Sequence, residues 1–340
     1  KQEINSSGLF DFIIIFGIFG NAISMIILSR PQMKSSINYL LIGLARCDTM
    51  LIIISVSNIQ IYIIIYNEHS IIYDLLSIQI VRFLYPLSCM AHIATVYLTL
   101  TVTLERYIAV CHPLQARSFC TYGRARLAVA IILIFSFFYN LPNRFWEIEY
   151  YPETHWKYNI TIYCVYPADL RSNNLYITLY VHWMYFFICY LFPFLALVIF
   201  NVAIYRRVNK TIFFLYHLKF KKYMRNITVI KFSKIFIQHI AYFIFFVIFQ
   251  VRKANRDLQQ LSRHQRREIG LATMLLCVVI VFLICNILPL ASNIHETFLN
   301  DPPLWLVQTG NLLVTINSSI NFIIYVIFGR KFKRIFLKLF

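Results

Sequence analysis

The chain has 340 residues, 59% of them hydrophobic and only 14% charged, with a formal net charge of +18. A soluble domain carries about 25% charged residues, so this composition excludes an ordinary water-soluble enzyme and points to lipid as the solvent. The basic residues are divided among separate loops, so the charge marks contact with an anionic leaflet rather than nucleic-acid binding.

Crossing a hydrocarbon core of ~30 Å takes roughly 20 mostly apolar residues. Seven runs qualify, near 9–29, 38–65, 77–110, 125–142, 175–205, 270–297 and 304–328. Lipid supplies no hydrogen-bond partners, so each is expected as a helix, the fifth and sixth extending to 175–208 and 262–297. The regular alternation of a membrane barrel is missing. The predicted fold is therefore all-α: one seven-transmembrane helix bundle, followed by a short amphipathic surface helix over 329–340.

Lys and Arg concentrate on one set of loops: Arg30 and Lys34, then 106–126, 206–267 and 330–338. That side is expected to be cytoplasmic, which puts the N-terminus outside and the C-terminus inside a multi-pass plasma-membrane protein. Two sequons, at Asn5 and Asn159, fall on the outer side as glycosylation requires; those at Asn209 and Asn226 fall inside. No cleavable signal peptide is visible, and a start at Lys1 rather than Met reads as a truncated N-terminus.

Helix 2 carries Asp48 in mid-span, a costly position that is a functional hypothesis by default. Arg46, two residues earlier, is a second intramembrane charge that must point to a different neighbour. On helix 3, Ser88, His92, Thr95 and Thr99 share one face, and Arg106 lies ~27 Å further along it. That helix links an outer pocket to the inner surface. His92 reads more readily as a packed histidine than as a ligand contact. Glu105-Arg106-Tyr107 closes the helix, before Pro113 and Leu114. Pro193 and Pro289 each remove a backbone hydrogen bond, so Pro289, within Cys285-Asn-Ile-Leu-Pro289, gives helix 6 a pivot. Helix 7 ends Asn317-Ser-Ser-Ile-Asn321-Phe-Ile-Ile-Tyr325.

These endings resemble the rhodopsin-like G-protein-coupled receptors, whose third helix closes on an acidic-Arg-Tyr signature. The resemblance implies an activation switch at Glu105, Arg106, Tyr107, Pro289, Asn321 and Tyr325, and a G-protein contact at Leu114. It also implies a sodium ion held by Asp48, Thr95, Asn317 and Asn321, with a metal-free hydrogen-bond cluster as the equal alternative; no other cofactor is implied. Ile287, Phe322 and Asn201 depart from the family's usual Trp, Pro and Tyr, and Ser88 replaces the Asp that pairs amine ligands.

A narrower resemblance, to invertebrate FMRFamide-type peptide receptors, rests on three stretches. They are Tyr139-Asn-Leu-Pro-Asn-Arg-Phe-Trp-Glu147, which has one extra residue, Leu261-Ser-Arg-His-Gln-Arg-Arg-Glu268, and the Asn-Phe-x-x-Tyr ending. It implies an amidated extracellular peptide as ligand and a heterotrimeric G protein as partner. An Arg-Phe-amide tail needs an acid for its guanidinium and an apolar recess for its ring. Glu296, with Glu147 and Glu149 as second choices, supplies the acid; Tyr85, Ser88, His92, His182, Tyr185 and Asn311 line the recess. Each of these, taken singly, is equally an ordinary outer-end residue.

A chemosensory receptor of the same fold for a small ligand is the alternative. A transporter would show internal repeats and an enzyme would show clustered acid-base groups; neither is present. Residues 209–250 are anomalous: rich in Phe, Ile and Lys, with a charge-free run from Ile235 to Val251. They read as a translated intron or an unusual third-loop insertion, expected as a surface-lying helix. Cys164 is the one cysteine in an outer loop. The family pairs this loop with a Cys where Val81 stands, and Cys89 lies ~12 Å deeper, so no bridge is expected.

Overall fold

The computed structural model describes residues 2–68, 71–144, 148–155, 160–220, 263–299 and 303–339. α1 (Gln2–Leu28) leads into α2 (Ser36–Glu68) and the long α3 (Ile71–Cys111). After the short α4 (Pro113–Phe119), α5 (Tyr122–Arg144) returns across the bundle. Strands β1 (Ile148–His155) and β2 (Ile160–Pro167) follow, then α6 (Asp169–Ser172) and α7 (Asn174–Tyr176). Wide π-helical turns over Ile177–Met184 and Phe186–Leu191 run into α8 (Phe192–Phe220). α9 (Arg263–Cys285), α10 (Ile287–Leu299), α11 (Leu304–Phe328) and α12 (Arg330–Leu339) complete the described chain.

Among the described residues, six stretches are long and apolar enough to cross a membrane: Ser36–Ile54, Pro86–Cys111, Tyr122–Asn140, Asn174–Arg207, Met274–His295 and Trp305–Phe328. The shorter apolar stretch Ile13–Leu28 in α1 packs beside α2 and α11 and completes seven helices around a central α3. The bundle is inverted relative to a soluble protein on its outer surface. On α5, Leu127, Ile131, Ile134 and Phe138 form an exposed apolar stripe at helical spacing, as lipid contact requires.

Close packing is set by small residues. A Cβ on Gly17 would lie 2.2 Å from Ser319 Oγ, and one on Gly20 would lie 2.8 Å from Phe322 Cβ. α1 and α11 therefore meet at a distance only glycine permits, the membrane device of small residues at a helix interface. Phe322, where the family usually has Pro, leaves α11 unbroken to Phe328. Its ring packs edge-on against Phe16, Phe332 and Phe336, joining α1, α11 and α12. α12 buries Phe332 and leaves Lys333, Arg334 and Leu337 exposed, the expected amphipathic pattern.

One non-helical element stands beside the all-α bundle. Residues 148–167 form an antiparallel β-hairpin outside the bundle, in register from Ile148↔Pro167 to His155↔Ile160. Its physical cause is legible in retrospect: β-branched and aromatic residues in both arms, outside lipid, where strands can satisfy their hydrogen bonds mutually. Tyr151 and Tyr166 meet across the two strands, ring centroids 5.9 Å apart. Of the anomalous 209–250 stretch, the part up to Phe220 continues α8; the remainder lies outside the described residues.

Candidate functional site

The polar groups form a column along α3. At the bundle's centre Asp48 is fully buried. Its Oδ1 accepts a 3.2 Å hydrogen bond from Thr95 Oγ1, and its Oδ2 accepts one of 2.8 Å from Asn321 Nδ2. Three helices, α2, α3 and α11, are thus joined by one carboxylate. Ser318, also fully buried, faces it, and Asn21 Nδ2 of α1 donates to the Ser318 carbonyl at 3.0 Å. Asn317 is buried nearby. The expected quartet Asp48, Thr95, Asn317 and Asn321 is brought to one level, with Thr95 and Asn321 bonded directly to the acid.

At the Ser36 end, Arg106 and Glu105 form an ion pair, Nη2 to Oε1 at 3.6 Å, with both side chains buried. Glu105 is held from a second direction by Ser36 Oγ, which donates to its Oε1 at 2.5 Å. Ser36 opens α2, so that helix tethers the acid that in turn restrains the arginine. Tyr107 turns away: its hydroxyl lies 3.2 Å from His112 Nε2, and its ring packs at 5.1 Å against Phe200 of α8. Leu114, in the first turn of α4, is 87% exposed. Tyr325 is buried under Phe332, ring centroids 5.7 Å apart. Among the described residues its hydroxyl has no hydrogen-bond partner.

Between α9 and α10 the helix breaks at Asn286. Its side chain is buried and donates to the Phe282 carbonyl at 2.8 Å, while Ile287 is 53% exposed. The position where the family places its Trp therefore points outward, and Asn286 turns inward beside Phe282. Pro289 sits three residues on, where α11 passes so close that a Cβ on Gly310 would lie 3.4 Å from its nitrogen. Pro289 has no N–H to give the preceding turn, so the helix lacks a backbone hydrogen bond at this point.

At the other end, an aromatic-lined group surrounds His92. Its ring is 6.4 Å from Tyr190, which is 5.9 Å from Tyr185. His92 Nε2 is buried and has no hydrogen-bond partner among the described residues, an unusual state for a polar atom. His295 Nδ1 of α10 is in the same condition. Tyr97 donates to the Ile188 carbonyl at 3.1 Å, within the widened turns that carry Tyr185 and Tyr190. His182 is buried in those turns, Ser88 is half-buried one turn from His92, and Asn311 is exposed on α11. Tyr190, Tyr97 and His295 were missed by sequence reasoning. Nothing in a uniformly apolar, Tyr-rich helix marks which rings turn inward.

Six residues named from the sequence lie outside this account. Glu147 and Asn159 fall outside the described residues, and the side chains of Tyr85, Glu296 and Asn5 do so although their backbones are helical. The side chain of Cys164 is likewise outside; its backbone pairs with Tyr151. Glu149 is exposed on β1 and accepts a 2.6 Å hydrogen bond from the Tyr151 hydroxyl, which holds that phenol above its usual pKa.

A seven-helix bundle with a buried central carboxylate and a tethered acidic-Arg pair defines a membrane receptor rather than an enzyme. Residues 20–325 match the family described as 7 transmembrane receptor (rhodopsin family). The chain belongs to that family. It is 45% identical to the FMRFamide receptor of Drosophila melanogaster, an alignment covering 98% of this chain and 53% of that protein. It is 29% identical to the FMRFamide peptide receptor frpr-18 of Caenorhabditis elegans, covering 95% of this chain and 66% of the relative. The Drosophila melanogaster sex peptide receptor is 28% identical over 58% of this chain and 47% of its own length. The chain thus spans about half to two thirds of the length of these relatives.

Proposed function

We propose that the protein is a receptor for an amidated FMRFamide-like neuropeptide, passing extracellular binding to a heterotrimeric G protein at the cytoplasmic side of the plasma membrane. The observation that carries this reading is the continuous polar column of α3: His92 beneath an aromatic group at one end, Arg106 tethered by Glu105 and Ser36 at the other. The names of two relatives, the FMRFamide receptor of Drosophila melanogaster and the FMRFamide peptide receptor frpr-18 of Caenorhabditis elegans, favour an amidated peptide over a small odorant. The bias of Lys and Arg toward one set of loops and α12 supports a reading with the Arg106 end inside the cell and the N-terminus outside. An agonist acts by binding one of two bundle arrangements more tightly. Opening at Pro289 and Asn286 separates α9 from α3, releases Arg106, and exposes a cleft flanked by Leu114 for the G protein.

The acid for the peptide's guanidinium is assigned to Glu296, with Glu147 second, and its aromatic ring to the recess of Tyr85, Ser88, His92, His182, Tyr185 and Asn311. Challenge of transfected cells with a panel of amidated and free-acid peptides tests the reading. Calcium or cyclic-AMP responses to Arg-Phe-amide peptides alone are expected; silence across the panel, with a response to small volatile ligands, overturns it. Asn5 and Asn159 are the proposed glycosylation sites, read out as a mobility shift on glycosidase treatment.

The central cluster fits a sodium ion. The carboxylate of Asp48, the Thr95 hydroxyl, Ser318 and the Asn317 and Asn321 amides provide hard oxygen donors in a water-poor site. These residues would hold the ion, which would supply positive charge beside Asp48 and favour the resting arrangement.

A further inference from the structure

Arg46 is a membrane-embedded charge that the receptor reading leaves unused. It sits in mid-α2, ~15 Å above Ser36 at 1.5 Å per residue, and is exposed on the surface of the bundle where the lipid lies. Asp48, two residues on, is fully buried on the opposite side and engaged by Thr95 and Asn321, so it is not the partner of Arg46. A bare guanidinium facing hydrocarbon is strongly unfavourable, and such groups reach for an anion at the interface.

The neighbouring helix supplies the rest of a site. α2 and α5 run in parallel: Tyr39 packs on Tyr122 at 5.1 Å, and further up a Cβ on Gly43 would lie 3.4 Å from Val129. At 3.6 residues per turn, Arg46 lies about 60° to one side of Gly43, and Arg126 about 60° from Val129 toward the same mouth of the groove. Relative to the Gly43–Val129 contact, Arg46 is ~4.5 Å higher and Arg126 ~4.5 Å lower. Both side chains lean toward the inner end, because Cα–Cβ bonds tilt to the helix N-terminus. Arg126 is exposed, as is Lys34, whose Nζ lies 5.3 Å from the Tyr122 ring at the foot of the groove. Three cations thus climb one apolar groove, with half-buried Ile42 and Val129 as its floor. Among the described side chains, the exposed acids Glu149 and Asp169 lie in and just after the hairpin, away from this groove.

We propose that the α2–α5 groove binds an anionic phospholipid of the leaflet at the Ser36 end, its phosphate held between Arg46 and Arg126 and its acyl chains along Ile42, Met50 and Ile53. That this leaflet is cytoplasmic rests on the orientation given above; the site itself does not. Two guanidinium forks match the oxygens of a phosphomonoester, whose extra negative charge a zwitterionic phosphodiester headgroup such as phosphatidylcholine lacks. A small headgroup such as that of phosphatidic acid reaches this depth best.

The test is native mass spectrometry of the detergent-purified full chain after incubation with mixed micelles of phosphatidic acid or phosphatidylcholine. Wild type should retain phosphatidic acid and not phosphatidylcholine, and excess inorganic phosphate should not displace it. Arg46→Leu and Arg126→Leu should each lower retention at least about fivefold, while Arg206→Gln, an exposed cation on α8 away from the groove, should not. Equal retention of the two lipids by wild type, or undiminished retention by the two groove variants, overturns the proposal. Should Arg46→Leu fail to fold, Arg126→Leu decides it alone, since that side chain lies on the exposed face near the helix end.

Discussion

The proposed switch rests on single side chains. Arg106 is restrained by Glu105, and Glu105 by Ser36, so two substitutions should act in opposite directions. Arg106→Ala should abolish G-protein activation while peptide affinity stays within about threefold, because the ligand end lies ~20–27 Å away along α3. Normal signalling by that variant would remove the switch from Arg106. Ser36→Ala deletes one hydrogen bond to a charged group, a net stabilisation of about 1.5–3 kcal/mol, and should raise basal signalling. Unchanged basal activity at matched surface expression would show that Ser36 does not restrain the pair. At the centre, Asp48→Asn should make agonist affinity insensitive to exchange of sodium for choline; a persisting sodium effect would place the ion elsewhere.

Helices meet through what small residues allow. Gly17 and Gly20 bring α1 onto Ser319 and Phe322, and the proposed loss on Gly20→Val is that of overpacking, about 1–3 kcal/mol. The variant should melt several degrees lower in detergent, and wild-type stability would refute the tight α1–α11 contact. The short α4 presents Leu114 to solvent at the Arg106 end; Leu114→Asp should weaken G-protein activation without loss of peptide binding. Much of this scale was legible beforehand. Amphipathic spacing gave α12, and Pro289 marked the stretch where the helix breaks, because proline chemistry is local. The hairpin was not legible as such, since its strands lie in a short loop whose residues are compatible with several conformations. Nor was the outward turn of Ile287, which depends on the break at Asn286 and on which side of the pivot packs against Phe282.

For the whole molecule, the order of seven apolar runs and the bias of Lys and Arg are written directly in the chain. Bilayer thickness and the cost of an unsatisfied backbone group leave no other solution than spanning helices. Sequence alone therefore determined the class of fold, the family signature at Glu105–Tyr107, and Asp48 as an intramembrane acid that needed partners. Tertiary structure decided who those partners are. Thr95 and Asn321 come to Asp48 from helices far apart in the chain, Ser36 reaches Glu105 across the same gap, and His92 meets Tyr190 only through the widened turns ahead of α8. It also decided that Arg46 faces out beside Arg126, whereas Asp48, two residues on, faces in. Hydropathy is a sum over one segment, whereas facing and pairing depend on how the helices rotate about their own axes, and that rotation is fixed only when all seven pack at once.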